Sequence, residues 1–122
     1  MPNPIPAILV SLTLSLAAQP STAQDVPKLA LAKDLLLPCQ DADNDPRDGF
    51  ISELECLTFI GGFVTAIGVA DASVQYCFPD TNRDDEIRRA YVRWVHGSFS
   101  KRSKMPVGEA LLAALAENFA CD

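Results

Sequence analysis

The apolar positions of this chain recur at helical spacing, and no segment alternates as a half-buried strand would require. A short first helix is expected over about Pro27 to Leu37, with Leu29, Leu31, Leu35 and Leu36 on its apolar side. Pro38 should end it, because the residue before a proline is pushed out of the helical region. The polar stretch from Gln40 to Gly49 then reads as a loop.

A second helix is expected from about Ser52 to Tyr76, with Ser52 as N-cap and Glu53 and Glu55 complementing the dipole of the first turn. Phe59, Phe63, Ile67, Ala70 and Val74 fall on one face, and Gly61, Thr65, Gly68 and Ala72 on another. A helix apolar on one face and small on the other should be surrounded by neighbours. Its interior glycines cost about 0.5–1 kcal/mol each against alanine, which close approach of a second helix would offset. Asp71 interrupts the apolar run, which argues against a membrane span, and it should accept hydrogen bonds from a neighbouring element.

The third helix opens after Pro79, with Thr81 as cap and Asp84, Asp85 and Glu86 in the first turn. Ile87, Tyr91, Trp94 and Val95 form its buried side, and Asp84–Arg88 and Asp85–Arg89 are pairs spaced i,i+4. Gly97 and the stretch Ser-Lys-Arg-Ser-Lys break it. A fourth helix starts near Pro106, turns Leu111, Leu112, Leu115 and Phe119 inward, and stops at Cys121. The fold class is therefore all-α, a small four-helix bundle.

The N-terminus is read apart from this fold. Ala7 to Ala18 is an apolar run of 12 residues, suited to the core of a signal peptide and short of the roughly 20 a membrane span needs. Ser21-Thr22-Ala23 places small residues for cleavage before Gln24, although the first residues carry no Lys or Arg. Residues 1–23 are thus expected to be a signal peptide and 24–122 a single domain. No cysteine follows the apolar run, so no lipid anchor is expected.

Export changes the meaning of the cysteines. Four cysteines in an exported chain point to two disulfides, and none are closer than 17 positions, unlike a metal cluster. Cys56 and Cys77 stand 21 residues apart on one expected helix, about 31 Å, far beyond disulfide reach. Excluding that pair also excludes Cys39–Cys121. In an up-down bundle Cys39 and Cys56 share one end and Cys77 and Cys121 the other, which gives Cys39–Cys56 and Cys77–Cys121. Loops of these lengths would stabilise by roughly 3 and 4 kcal/mol in a chain-entropy account.

The net charge is −6, unevenly spread. Residues 25–86 hold 13 acids and 4 bases, and residues 87–122 hold 6 bases and 3 acids. Six scattered bases do not make a nucleic-acid surface. Lys101, Arg102 and Lys104 have no local acids, and Asp41, Asp43 and Asp45 lie in the acidic loop; these two sets are the candidate contacts for a protein partner.

Asp48-Gly49-Phe50-Ile51-Ser52 with Glu55 fits the second half of a calcium loop. The first half does not fit, because the earlier ligand positions fall on Asn44 and Pro46 while Asp43 and Asp45 stand one residue out of register. No metal and no cofactor are expected. His96, the only histidine, sits where a cation complements the end of the third helix, and no free cysteine is expected to pair with it. An enzyme is not expected.

From Cys56 to Cys121 the chain resembles the Rap/Tai family of immunity proteins associated with type VI secretion. The likeness rests on Cys56, Gly61 or Gly62, Gly68 or its neighbours, Asp71-Ala72, Cys77, Pro79, Pro106, Phe119 and Cys121 in their order and spacing. Phe-Ile-Gly-Gly-Phe-Val stands where members tend to have Gly-Tyr, and Asn-Phe-Ala-Cys replaces Phe-Pro-Cys. The resemblance implies a periplasmic binding protein that neutralises a peptidoglycan amidase effector, with a homodimer compatible with that role. The matching residues are scaffold, so fold transfers more safely than partner. The competing expectation is a small periplasmic chaperone or stress protein, whose acids would release apolar surface at low pH.

Overall fold

The computed structural model describes residues 2–4, 29–71 and 75–122. Nearly all of the expected signal peptide, and Ala72 and Val74 of the second expected helix, lie outside the described residues. Among these, the order is α1 (Ala32–Asn44), α2 (Gly49–Ala70), α3 (Arg83–His96), the single turn α4 (Phe99–Arg102) and α5 (Val107–Asn118). Four long helices form the bundle, and no strand is present among the described residues beyond two isolated bridges.

The first helix is displaced from its expected span. It begins five residues later and runs straight through Pro38, which is buried inside it. Proline removes the bond to the carbonyl of Asp34 and strains the turn before it. What holds the helix past that point is tertiary: Leu35, Leu36 and Cys39 are all in the core, and Cys39 is bonded to Cys56 of α2. The first turn of α1 is closed from outside, with the Ala32 and Lys33 N–H groups donating to the carbonyls of Met105 and Ser103. Asp34 reaches back to accept from the Leu31 N–H at 2.8 Å.

The expected loop from Gln40 to Gly49 shrinks to Asp45–Asp48, because α1 continues to Asn44 and α2 begins at Gly49. Asp48, not Ser52, is the N-cap, and Ser52 lies a turn inside with its N–H donating to the Asp48 carbonyl. The two helices form a hairpin so tight that a Cβ on Gly49 would stand 3.1 Å from the carbonyl oxygen of Ala42.

The second helix ends at Ala70, earlier than expected, with Asp71 as its C-cap. Its core face is Cys56, Ile60 and Val64, spaced by four; Phe59, Phe63 and Ile67 flank that face half-buried. It is not surrounded. One side packs on α1 and α3, and the other is open to solvent. The small stripe receives one close neighbour, the Asp84 carboxylate 3.0 Å from the Cβ position of Gly61; Gly68 has open space there.

In α3 the expected buried side of Ile87, Tyr91, Trp94 and Val95 is buried, joined by Arg88. Its N-cap is Asn82, with φ at 53° in the left-handed region that asparagine tolerates better than most residues, and not Thr81. In α5, Leu111 and Leu115 are buried and Phe119 packs beside them, while Leu112 is 40% exposed. Pro106 caps α5 from just outside, and the chain at Leu31 pairs with it. The disulfides are Cys39–Cys56 and Cys77–Cys121, each with Cα atoms 5.0 Å apart.

Candidate functional site

Arg88 is the most heavily engaged polar side chain of the molecule's interior. Its side chain is only 3% exposed and its guanidinium ties α1 to its own helix α3. It donates to the Cys39 carbonyl at 2.9 Å and to both Asp43 carboxylate oxygens, at 2.8 and 3.1 Å, at the end of α1. Its Nε also meets Asp85 of its own helix at 2.9 Å. Hydrogen bonding from Arg88 holds the Asp43 carboxyl below its ordinary range, and the same bond raises the guanidinium further. The expected Asp84–Arg88 pair is replaced: Asp84 pairs with Arg83 at 2.8 Å, while the expected Asp85–Arg89 pair forms at 3.0 Å.

These groups line an open cleft of about 770 Å³, with Glu53, Pro79 and Asp80 on its walls. Its guanidiniums are committed to carboxylates within the cleft, so the arrangement joins helices electrostatically.

The candidate contact residues separate under this geometry. Asp43 is taken by Arg88, and Asp45 accepts from the N–H groups of Arg47 and Asp48 at 2.9 and 3.0 Å, which closes the α1–α2 turn and lowers its carboxyl. Asp41 lies in the last turn of α1, not in a loop, and its carbonyl accepts the Asp45 N–H. The stretch that resembled a calcium loop is therefore mostly helix, with only Asp45–Asp48 between α1 and α2, and Asp43 and Asp45 are engaged in the fold. Arg102 stacks its guanidinium 4.2 Å over the Trp94 ring and donates to the Trp94 carbonyl. Trp94 in turn donates from Nε1 to Glu117 of α5 at 2.7 Å. Lys101 and Lys104 remain exposed. His96 is exposed at the end of α3, hydrogen-bonded to Gln40 at 3.0 Å and stacked near Phe99.

The feature that sequence reasoning missed is the outer face of α2. Phe50 is 73% exposed, Ile51 61%, Leu54 56% and Val69 84%. Between these ends the exposed positions are Glu55, Thr58, Gly62, Thr65, Ala66 and Gly68, and past Glu55 no charged residue occurs up to Ala70. Beside Ile51 and Leu54 an apolar groove of about 400 Å³ runs under Leu29 and Phe59. By length and composition alone α2 could cross a membrane, yet one side of it is built into the bundle. Lone exposed apolar residues are ordinary, but a helix face that carries Phe50, Ile51, Leu54 and Val69 with Glu55 as its one exposed charge marks an interaction surface. The missed signal was available: a helix apolar all round in a chain this small has too few partners to cover it.

A family model described as Rap1a immunity proteins matches residues 31–121. No curated protein and no solved structure matches the chain. The matched range begins at the residue before α1 and ends at the second cysteine of the outer disulfide, so it takes in the whole bundle. The chain belongs to the Rap1a immunity protein family.

Proposed function

We propose that this member of the Rap1a immunity proteins acts in type VI secretion as an exported binding protein, occupying a peptidoglycan amidase effector in the periplasm and blocking it without chemistry of its own. The observation that carries the reading is the family match across the entire bundle. Export rests on the signal-peptide pattern of residues 1–23 ahead of the domain 24–122, and the two disulfides suit an oxidising compartment. Inhibition by occupancy needs a rigid surface. The Cys39–Cys56 bond and the Arg88 hub supply rigidity directly behind α2.

The contact surface in this reading is the outer face of α2, centred on Phe50, Ile51 and Leu54. Lys101 and Lys104, the exposed members of the basic set, and Asp41 serve as rim contacts, whereas Arg102, Asp43 and Asp45 act through the scaffold.

Co-expression with a peptidoglycan amidase effector of type VI secretion is the direct test. Protection of the cell and a complex that survives size exclusion are expected. Neither protection nor complex would refute the reading. A stable homodimer formed by the protein alone through α2 would instead assign that face to a second copy.

A further inference from the structure

We infer that the two disulfides have different roles: Cys39–Cys56 is a fixed staple, and Cys77–Cys121 is a redox-addressable latch that covers an apolar cleft. The inference stands whatever partner the protein binds. Cys39 and Cys56 are both 0% exposed and sit among core side chains of α1 and α2. Cys77 and Cys121 are both exposed. Thiol–disulfide exchange requires a thiolate to reach a sulfur, so access separates the two bonds before any difference in driving force does.

What the outer bond holds is a small clasp outside the helices. Cys77 donates its N–H to the Phe119 carbonyl at 2.8 Å, and Tyr76 pairs with Ala120. Three rings complete it: Tyr76 and Phe78 with centroids 5.7 Å apart, and Phe78 and Phe119 at 5.4 Å. Behind the clasp lies a cleft of about 400 Å³ whose far wall is Val64, Ile67 and Gly68 of α2. A single covalent bond, one short backbone pairing and one aromatic contact cluster thus hold the wall that faces Val64 and Ile67 across this cleft. The core beneath has its own staple, and Tyr76, Phe78 and Phe119 pack against its edge.

The opening step balances with a dithiol reductant. One reductant thiolate attacks the sulfur of Cys77 or Cys121, forming a mixed disulfide and releasing the other cysteine as thiolate. The second reductant thiol then displaces the mixed disulfide, leaving the reagent as a disulfide and both cysteines as thiols. Two electrons and two protons pass to the protein.

The test is dithiothreitol treatment of the purified, folded protein, with alkylation at timed intervals and peptide mapping. Cys77 and Cys121 should label on the order of a hundredfold faster than Cys39 and Cys56, because the buried pair waits for a larger opening. A species with two thiols should accumulate, keep its helical circular dichroism and bind an apolar dye more strongly than the oxidised protein. The double variant Cys77→Ser/Cys121→Ser should match that species. Reduction of both bonds at one rate, reduction of Cys39–Cys56 first, or a two-thiol species with unchanged dye binding would each overturn the latch. Should the double variant fail to fold, the labelling order in the unaltered protein still decides.

Discussion

The guanidinium of Arg88 lies 2.9 Å from the carbonyl oxygen of Cys39, joining the start of α3 to the end of α1 across 49 positions of sequence. The last turn of α1 has no basic residue of its own and contains Asp41 and Asp43, the wrong sign for a helix C-terminus. Arg88 supplies that cation from another helix. It also satisfies a carbonyl beside the buried disulfide, so the hub links the covalent staple to the electrostatic one.

Replacing Arg88 with methionine should therefore lower stability by about 2 kcal/mol, since the Cys39 carbonyl loses its buried charged partner. The loss should fall short of that for a fully buried ion pair, because the Asp43 side chain is 61% exposed and can rehydrate. Arg88→Lys should recover only part, since a single ammonium cannot reproduce a fork that serves two carboxylates and a carbonyl. Urea unfolding of the three proteins measures this; an unchanged midpoint in Arg88→Met would remove the hub from the account.

Acid should weaken the same joint. Asp43 has a folded-state value below the ordinary 3.8, chiefly through the hydrogen bond from Arg88. A depressed carboxyl contributes stability above its unfolded value and loses it as pH falls through the folded one. Stability should hold from neutral pH to about 5 and decline below about 4. In Asp43→Asn that portion of the decline should be absent when urea midpoints are compared at pH 7, 4 and 3.

Tyr91 sets the opposite limit. Burial, with the Asp34 charge adding to it, raises its phenol far above the ordinary 10.0, and its hydroxyl donates to the Ala32 carbonyl at 2.7 Å. A raised phenol contributes stability that is fully present below the unfolded value and lost as pH climbs above it. The protein should thus start to destabilise above about pH 10, and Tyr91→Phe should remove that alkaline loss while costing about 1 kcal/mol at neutral pH. Thermal melts from pH 8 to 11 on both proteins decide the point.

Which features were legible in sequence follows from what carries them. The buried side of α3 was readable because Ile87, Tyr91, Trp94 and Val95 are fixed by helical period alone. The cysteine pairing was readable chiefly because the up-down order of the helices places Cys39 and Cys56 at one end and Cys77 and Cys121 at the other; the helix-length argument against Cys56–Cys77 assumed a helix that in fact ends at Ala70. Pro38 misled, since the local rule against proline in a helix was overridden by the burial of Leu35, Leu36 and Cys39. Arg88 could not be read at all: its main partners lie 45 and 49 positions away, whereas helix periodicity offered only Asp84 and Asp85. The face of α2 was misassigned because period marks which residues share a side, not whether a neighbour exists to cover it.

Two glycines of α2 should respond to alanine with opposite signs. A Cβ at Gly49 would press to 3.1 Å on the backbone oxygen of Ala42, which the tight α1–α2 turn holds in place. Gly49→Ala should cost about 1 kcal/mol or more despite the better helix propensity. Gly62 has nothing within 4 Å of that position and is exposed, so Gly62→Ala should gain roughly 0.5–1 kcal/mol. Denaturant midpoints of the pair separate helix propensity from packing in one experiment.

Charge placed on the outer face of α2 should separate folding from binding. Leu54 is 56% exposed and Ile51 61%, so Leu54→Lys or Ile51→Glu removes little buried surface, and either should change stability by no more than about 0.5 kcal/mol. If the effector covers this face, each variant leaves an unpaired charge in the contact, and affinity should fall at least about tenfold, equal to 1.4 kcal/mol or more. Lys101→Ala and Lys104→Ala, at exposed rim positions, should mainly slow association and reduce its salt dependence. Binding kinetics against the amidase, run beside light scattering of the free protein, distinguish the two occupants. Loss of effector binding with a constant mass supports the effector; a drop from dimer to monomer assigns the face to a second copy. Unchanged affinity and mass in both α2 variants would exclude the face from either contact.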